Sequence, residues 1–429
     1  MKIGVVSLGC DKNRVDTEKM LARLTKAGHV LVSDEAAADV LIINTCAFTD
    51  CAKEESVEEI FRAVKQKSNS GAKIIVTGCL TERFREEVLS EIPEIDAVLG
   101  IGNYDDISEA VAGKTPRKAY FSGCDRFSPE RVLTTPYHYA YLKIAEGCKN
   151  RCTFCAIPAI RGDYRSESME NLIHEAAALD GVKELILVAQ DVSRYGVDFD
   201  GKPHLIELLD KLSELPFDWL RLMYLEPEMV TDELIDYVAD NPKVCKYMDI
   251  PLQHIDDEIL RKMNRRSTES STKILVEKLK AKNIAIRSSF IAGFPGETEA
   301  QFQKLASFIE DYELDYAGFF AYSREEGTPA DKLLGHLPKK TKLRRKNLLS
   351  SIESGIIQRN NLETVGKTVQ VLYDSIDYKK GCFVGRTQRQ APCVDNRVMF
   401  SSDTPLDIGN FYFVEIFGAD KLDLTGKTV

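Results

Sequence analysis

Short apolar runs alternate with amphipathic helical patterns along most of this 429-residue chain. Parallel strands need a crossover connection, usually a helix, so repeated strand–helix units predict a parallel sheet. Between Tyr139 and Ser323 six such units follow one another, and they predict a partial (β/α)6 barrel with its chemistry at the carboxyl ends of the strands. The strand candidates of this segment are YLKIAEG, ELILVAQD, LRLMYLE, YMDIPLQ, AIRSSFIAG and YAGFFAYS.

The patterns before and after this segment differ from it, and a chain of this length is expected to hold more than one core. Residues 1–115 read as βαβαβ, which predicts a doubly wound parallel sheet. The barrel with its following charged helix is assigned to 135–362. Residues 363–429 hold short strands joined by Gly, Asp and Pro turns, which predict a small antiparallel β-barrel. The sequence therefore predicts an α/β protein of three domains.

Charge and cysteine content narrow the functional classes. A formal net charge of −10 argues against a surface built to neutralise phosphates everywhere, although a local basic stripe remains compatible with it. The chain shows no apolar run of bilayer length and begins without a secretory signal pattern, so we expect a cytoplasmic protein and no membrane partner. In a reducing compartment the eleven cysteines are metal ligands, catalytic thiols or buried packing residues rather than disulfides.

Three cysteines stand together in the loop EGCKNRCTFCAIP after the first barrel strand, namely Cys148, Cys152 and Cys155. The loop holds no histidine that would complete a four-ligand zinc site. Three thiolates instead suit a four-iron cluster whose remaining iron is open to the amino and carboxylate groups of S-adenosylmethionine. Scattered or buried cysteines without a ligand role are the weaker alternative in this loop.

A second set of cysteines is dispersed in sequence. Cys10, Cys46 and Cys79 follow the first, second and third predicted strands of the N-terminal sheet, and parallel strands bring their carboxyl ends to one crevice. Two interpretations remain open from the pattern, a second cluster or small apolar residues that end strands. The other cysteines are predicted to be packing or surface thiols: Cys51, Cys124, Cys245, Cys382 and Cys393.

The stretch GCKNRCTFCAIPAIRGDYRS resembles the cluster loop of radical S-adenosylmethionine enzymes, and SLGCDKNRVDTE is similar to the N-terminal motif of methylthiotransferases. The resemblance covers essentially the whole chain and implies an auxiliary-cluster domain, a radical barrel and a C-terminal TRAM module of OB-like form. It also implies two [4Fe–4S] clusters, the second on Cys10, Cys46 and Cys79. The stretches GCDKNRVDTE, YLKIAEGCKNRC, QDVSRYGVD and MDIPLQH resemble the RimO-type branch, which modifies an aspartate of ribosomal protein S-twelve.

Three positions depart from that branch. Asp11 stands in place of a usual proline, Glu167 interrupts the usual Arg-Ser-Arg, and Glu226 replaces the aromatic residue that usually precedes Pro227. None of them removes a predicted cluster ligand.

The chemistry implied by the resemblance is radical, since no positioned base can take a proton from an unactivated carbon. The first cluster would cleave S-adenosylmethionine, and the resulting 5′-deoxyadenosyl radical would take a hydrogen from the aspartate β-carbon. The second cluster would then present a sulfur species, already methylated by another S-adenosylmethionine, to the carbon radical. A flavodoxin or ferredoxin is the expected electron donor. The predicted cofactor contacts are Phe154, Gln190, Arg287, Ser289 and Gly293. As alternatives, Arg287 neutralises a buried carboxylate and GFPGE forms only a turn and a helix start.

The substrate class follows from motif and charge together. The segment from Lys367 to Val429 contains eight Lys or Arg and eight Asp or Glu. The terminal module therefore lacks the excess of positive charge expected of a domain that binds transfer RNA. A net acidic enzyme suits a basic ribosomal protein, and adenosine in transfer RNA ranks second. Two further classes rank lower still. One is an electron-transfer or cluster carrier, and the other is an RNA-binding protein whose cysteines hold zinc.

Overall fold

The computed structural model describes residues 1–114 and 128–429, with backbone alone at residues 69, 102 and 105. Cys124 and the predicted domain end at residue 115 lie outside the described residues. By its contacts the chain forms two compact units. The first comprises 1–134, 141–149 and 155–179, and the second comprises 135–140, 150–154 and 180–429. The division into three domains made from the sequence stays a prediction.

The N-terminal part of the first unit is a five-stranded parallel sheet in the order β2-β1-β3-β4-β5, an order known from doubly wound folds. The central strand VLIINT is buried at every position because helices cover both faces, which confirms the predicted architecture. The two outer strands have two residues each, too short to show a period in sequence. The elements are β1 Lys2–Ser7, α1 Asp11–Lys26, β2 Val30–Leu31, β3 Val40–Thr45, α2 Asp50–Ser70, β4 Lys73–Gly78, α3 Cys79–Arg83, α4 Arg85–Glu91, β5 Ala97–Val98 and α5 Ile107–Val111.

Two of the unusual acidic residues lie at helix starts. Asp11 is the first residue of α1, a position where proline is common and where a carboxylate also interacts well with the helix dipole. Glu167 accepts hydrogen bonds from the Ser168 N–H at 2.9 Å and from Asn171 Nδ2 at 2.7 Å, at the start of the helix Met169–Ala177.

The next helices and strands along the chain are β6 Tyr139–Lys143, β7 Ala145–Glu146, α6 Ile157–Arg161, β8 Arg165–Ser166 and α7 Met169–Ala177.

The sheet of the predicted barrel holds all six expected strands in the order β13-β12-β11-β10-β9-β6, and the strands β9 to β13 belong to the second unit. The described pairs from β9 to β13 are parallel, as the strand–helix alternation predicts. The elements are β9 Glu184–Val188, α8 Val197–Asp200, α9 Leu205–Ser213, β10 Trp219–Leu222, α10 Asp232–Asp240, β11 Val244–Asp249, α11 Asp257–Lys262, α12 Glu269–Ala281, β12 Ala285–Ala292, α13 Glu299–Tyr312, β13 Tyr316–Ala321 and α14 Lys339–Thr364.

The C-terminal strands form the predicted small barrel, closed in the order β14-β15-β16-β18-β17. Its core includes the buried side chains of Tyr373, Phe400 and Ile416. One strand, β18, is absent from the sequence prediction because its segment DLTGKT carries few apolar residues, and it pairs in parallel with β16. The strands are β14 Thr368–Asp377, β15 Cys382–Arg386, β16 Val398–Ser401, β17 Phe411–Asp420 and β18 Asp423–Thr428.

A buried ionic network joins this small barrel to the large sheet within the second unit. Glu184, at the start of β9, pairs with Arg221 at 2.5 Å and with Arg386 at 2.7 Å. Arg386 also binds Asp374 at 2.7 Å, and Asp374 contacts His138 at 2.8 Å. Buried charges of this kind are tolerated only when they are paired and hydrogen-bonded.

Helix α14 carries a buried acidic side chain on its inner face. Glu353 is 3% exposed, and neither carboxylate oxygen has a hydrogen-bond partner of good geometry in the described part of the chain. Burial raises the pKa of this carboxyl to about 8, the nearby Ala317 backbone opposes the rise, and the charge of Asp315 adds to it.

None of the helices in 1–114 and 128–429 is long and apolar enough to cross a bilayer.

We expect Glu353→Gln to flatten the pH dependence of stability between pH 4.5 and 8. The folded chain binds one more proton there than the unfolded chain, whose carboxyl titrates near 4.5, so the free energy of unfolding falls as pH rises through this window. An amide of the same shape carries no charge to bury and should gain a few kcal/mol at pH 9. Urea unfolding of the wild-type and variant chains at pH 5 and pH 9 measures this effect. The prediction is contradicted if both chains lose the same unfolding free energy between pH 5 and pH 9.

Candidate functional site

The three dispersed cysteines meet at the carboxyl edge of the N-terminal sheet, as the strand order predicts. Cys10 precedes α1, Cys46 follows β3, and Cys79 begins α3 directly after β4. Gly9 has a φ of +85°, and a Cβ built on it would come within 2.9 Å of the Cys46 sulfur. A side chain at position 9 would therefore collide with Cys46, so this close approach requires glycine.

Asn13 connects the loops that carry these cysteines. Its Nδ2 donates to the Leu8 carbonyl at 3.1 Å and to the Thr45 carbonyl at 2.9 Å, just before Cys10 and Cys46 respectively. Its Oδ1 lies 3.8 Å from the Cys79 sulfur. One fully buried amide thus contacts all three cysteine segments.

A buried set of charges lies beside Cys79 in the same unit. Arg161, at the end of α6, pairs with Glu146 at 2.8 Å and with Asp16 at 3.3 Å. Its other guanidinium nitrogen, Nη2, is 3.6 Å from the Cys79 sulfur and donates to Asn13 Oδ1. Lys143 contacts both carboxylates of this set. The two cations therefore balance the two carboxylates.

Neighbouring thiols contribute to the pKa shifts of Cys46 and Cys79. Burial raises the pKa of the Cys79 thiol to about 12, Arg161 opposes the rise, and Cys10 and Cys46 add to it. Burial also raises the pKa of Cys46, and Cys10 adds to that rise. Cysteine binds metal as the thiolate, so the binding of a metal cluster at this site would release protons from the thiols.

The donor set fits a cluster better than a single ion. Within the described ranges, no group of three His, Cys, Asp or Glu side chains is spaced to hold one metal ion. A four-iron cluster takes one thiolate on each of several irons, so its ligands stand further apart than those of one ion. Three convergent thiols in a largely buried crevice, with an arginine nearby to offset negative charge, fit such a cluster.

The loop of Cys148, Cys152 and Cys155 is closed by a short antiparallel ladder, in which Ala145 pairs with Ser166 and Glu146 with Arg165. The Cys148 N–H donates to the Gly162 carbonyl at 3.1 Å. Gly147 has a φ of +81°, and a Cβ there would lie 2.2 Å from the Asp163 carbonyl oxygen, so the position admits only glycine.

The middle cysteine of this loop has its own cation in the second unit. Arg265 Nη1 lies 3.7 Å from the Cys152 sulfur and pairs with Glu226 at 2.7 Å. Burial raises the pKa of Glu226 to about 7, against the lowering effect of Arg265. The acidic residue before Pro227 is therefore the buried partner of the arginine beside Cys152.

The predicted cofactor contacts lie on the barrel as follows. Phe154 packs against an apolar cluster that includes Met263 and Phe294. Gln190 follows the end of β9 beside the buried Asp191, which accepts hydrogen bonds from Ser193 at 2.6 Å and Asn150 at 3.3 Å. Arg287 and Ser289 lie on β12, and Gly293 directly follows it.

Arg287 and Gly293 have described protein partners that bear on the alternatives. Arg287 pairs with Asp249 at 3.0 Å and with Asp395 at 3.3 Å, in agreement with the alternative that it neutralises buried carboxylates. The Gly293 N–H donates to Glu297 Oε2 at 2.7 Å, and the side chain of Lys342 fills the space next to Gly293. These contacts favour the alternative in which GFPGE is a turn and a helix start. The five cofactor contacts stay a prediction.

Several residues around the sites were not singled out from the sequence, among them Asn13, Arg161 and Arg265. Asn13 and Arg161 do lie inside the motif stretches GCDKNRVDTE and AIRGDYRS, so their positions within family motifs were an available signal. Arg265 offered no such signal, because its contact with Cys152 joins residues 113 positions apart.

Three family models match successive parts of the chain. The model described as Uncharacterized protein family UPF0004 matches residues 2–100, the Radical SAM superfamily matches residues 142–309, and the TRAM domain matches residues 365–429. The order of these matches is the order expected from the sequence.

Curated relatives match over the full length. A protein named ribosomal protein uS12 methylthiotransferase RimO from Pelotomaculum thermopropionicum is 45% identical, covering 100% of this chain and 99% of its own. The protein of the same name from Acetivibrio thermocellus is 42% identical, covering 100% and 98%. Among solved structures, the radical S-adenosylmethionine methyltransferase TsrM from Kitasatospora setae, with cobalamin and a [4Fe-4S] cluster bound, shares the fold. Its TM-score is 0.56 at 15% identity, covering 77% of this chain and 76% of that one.

Proposed function

Because the chain belongs to the RimO family of ribosomal protein uS12 methylthiotransferases, we propose that it inserts a methylthio group at the β-carbon of an aspartate in uS12. The chain is a radical S-adenosylmethionine methylthiotransferase. The observation that carries the proposal is the 45% identity over its full length to a protein of that name. The aspartate as target and the transfer of sulfur to it belong to the proposal.

The enzyme uses S-adenosylmethionine and two [4Fe–4S] clusters. When bound, the clusters would supply the electron that makes the radical and the sulfur that is transferred, and a second S-adenosylmethionine would supply the methyl group. We assign the cluster that binds S-adenosylmethionine to Cys148, Cys152 and Cys155. We assign the auxiliary cluster to the other three thiols, Cys10, Cys46 and Cys79, which share one edge of the N-terminal sheet.

The residues around these sites have distinct tasks in the proposal. Arg265 offsets negative charge at Cys152, and Glu226 holds Arg265 in place by an ion pair of 2.7 Å. Asp191 is anchored by Ser193 and Asn150 beside Gln190, so the end of β9 presents a fixed polar surface. Gln190 and the ring of Phe154 are the proposed contacts for the nucleoside and amino acid parts of S-adenosylmethionine. Strand ends of a parallel barrel are where such ligands bind.

The proposed partner is a basic ribosomal protein. Charges in the C-terminal barrel are balanced, eight of each sign between Lys367 and Val429, while the whole chain carries a net charge of −10. Electrostatic attraction would therefore favour a cationic protein over a polyanion. A ribosomal target implies that the enzyme works in the cytoplasm, with a flavodoxin or ferredoxin as its electron donor.

Mass spectrometry of anaerobically reconstituted enzyme tests the substrate assignment. Parallel reactions would contain S-adenosylmethionine, a reductant and either a uS12 peptide that carries the aspartate or unmodified transfer RNA. We expect a methylthio mass gain on the peptide aspartate and none on the RNA, because the terminal barrel lacks a positive excess.

A peptide with asparagine in place of the aspartate is the matched control and should gain no mass. A gain on adenosine alone would overturn the uS12 assignment and leave the radical chemistry intact. Failure to form 5′-deoxyadenosine with both clusters present would contradict the radical chemistry itself.

A further inference from the structure

The contact between Arg161 and Cys79 has no task in the function proposed above. We propose that Arg161 is a positioning residue of the auxiliary-cluster site, whose N–H at the Cys79 sulfur sets the reduction potential of that cluster. This inference rests on the proposed function, since it takes Cys10, Cys46 and Cys79 as the ligands.

The guanidinium is held from two sides. Its Nη1 donates to both carboxylate oxygens of Glu146, at 2.9 Å and 2.8 Å. Its Nη2 faces the Cys79 sulfur at 3.6 Å, donates to Asn13 Oδ1 and lies 3.4 Å from Asp16 Oδ2. The side chain is buried, and a planar fork fixed at one nitrogen has little freedom to turn at the other. The Nη2 N–H is therefore aimed at the sulfur before any cluster binds.

Arg161 contributes both a local hydrogen bond and a positive charge to this environment. Arg161 and Lys143 balance the carboxylates Asp16 and Glu146, so the set as a whole is neutral and its field at a distance is weak. Hydrogen bonds to cluster sulfurs shift reduction potentials, since an added electron on the cluster strengthens them. Loss of Arg161 removes this donor and also one positive charge from the set. Both changes make the auxiliary cluster harder to reduce.

The same contact aligns the three ligand segments. Asn13 receives Arg161 at Oδ1 while its Nδ2 binds the carbonyls of Leu8 and Thr45. A change at Arg161 is thus transmitted to the segments of Cys10 and Cys46 as well as to Cys79. An apolar side chain in place of Arg161 would leave Asn13 Oδ1 without this donor.

The test uses the full chain with Cys148, Cys152 and Cys155 replaced by alanine, so that any reconstituted cluster is the auxiliary one. Arg161→Met is introduced in this background. Iron and sulfide content and the midpoint potential from an anaerobic titration followed by electron paramagnetic resonance are measured. We expect iron uptake in both chains and a more negative midpoint in the Met variant.

Arg131→Met is the matched control. Arg131 is also a buried arginine of the first unit that pairs with two carboxylates, Glu18 and Glu175, and its described partners include no sulfur. It should lower stability and leave the midpoint unchanged. Loss of iron from R161M alone would also support the positioning role.

An unchanged midpoint in R161M, an equal shift in R131M, or loss of iron from both would overturn the inference. If the parent chain with Arg161 intact takes up no iron, the proposed ligands themselves fail, which separates that result from a failure of the Arg161 role.

Discussion

Replacing Cys10, Cys46 and Cys79 together by alanine is expected to abolish methylthio transfer while leaving cleavage of S-adenosylmethionine intact. These thiols meet at one edge of the N-terminal sheet, separate in sequence from the loop of Cys148 and Cys155. Iron content after reconstitution should fall to about half, because each set of thiolates holds one cluster in the proposal. Formation of 5′-deoxyadenosine and of methylthio product, measured together by mass spectrometry, reports the two activities separately.

The reciprocal variant, with alanine at Cys148, Cys152 and Cys155, should also keep about half of the iron but form no 5′-deoxyadenosine, since the open iron site is lost. Cys245→Ala is the matched control for removal of a buried thiol, because this side chain is 1% exposed on β11 and belongs to neither set. Methylthio product from the first triple variant would refute the assignment of the auxiliary cluster.

Arg386→Met is expected to cost about 3–5 kcal/mol of unfolding free energy, the loss typical of breaking a buried ion pair. Arg386 binds Glu184 and Asp374, each at 2.7 Å, and its side chain is 2% exposed. Removal of the cation leaves Asp374 with His138 and Glu184 with Arg221. Both carboxylates lose a partner, Glu184 while fully buried and Asp374 while only 17% exposed. Urea unfolding of the wild-type and variant chains under identical anaerobic conditions measures the difference.

Arg397→Met provides the comparison within the same small barrel. Its side chain is half exposed and pairs with Asp423 at 3.4 Å, and pairs at the surface contribute about 0–1 kcal/mol. We expect a small loss for this variant and a large one for R386M. Similar losses for the two would show that the buried network adds no more than a surface pair.

Individual strands show which parts of the fold can be predicted from the sequence. Long buried strands such as VLIINT and ELILV show their apolar runs directly, and all six strands predicted for the barrel are present. Strands of two residues, β2 and β5, and the polar strand β18 escape such analysis because their pairing partners, rather than their own pattern, make them strands.

Motif spacing predicted the cluster loop, because its three cysteines stand close together in the sequence. Family resemblance assigned the dispersed set of cysteines and pointed to the radical methylthiotransferase family. Tertiary structure decided which charges neighbour them. Arg161 reaches Cys79 across 82 positions, Arg265 reaches Cys152 across 113, and Arg386 meets Glu184 from another barrel. Such contacts depend on which elements pack together, and burial removes the water that would otherwise screen each charge. A linear pattern carries neither of these quantities, so only the folded chain defines them.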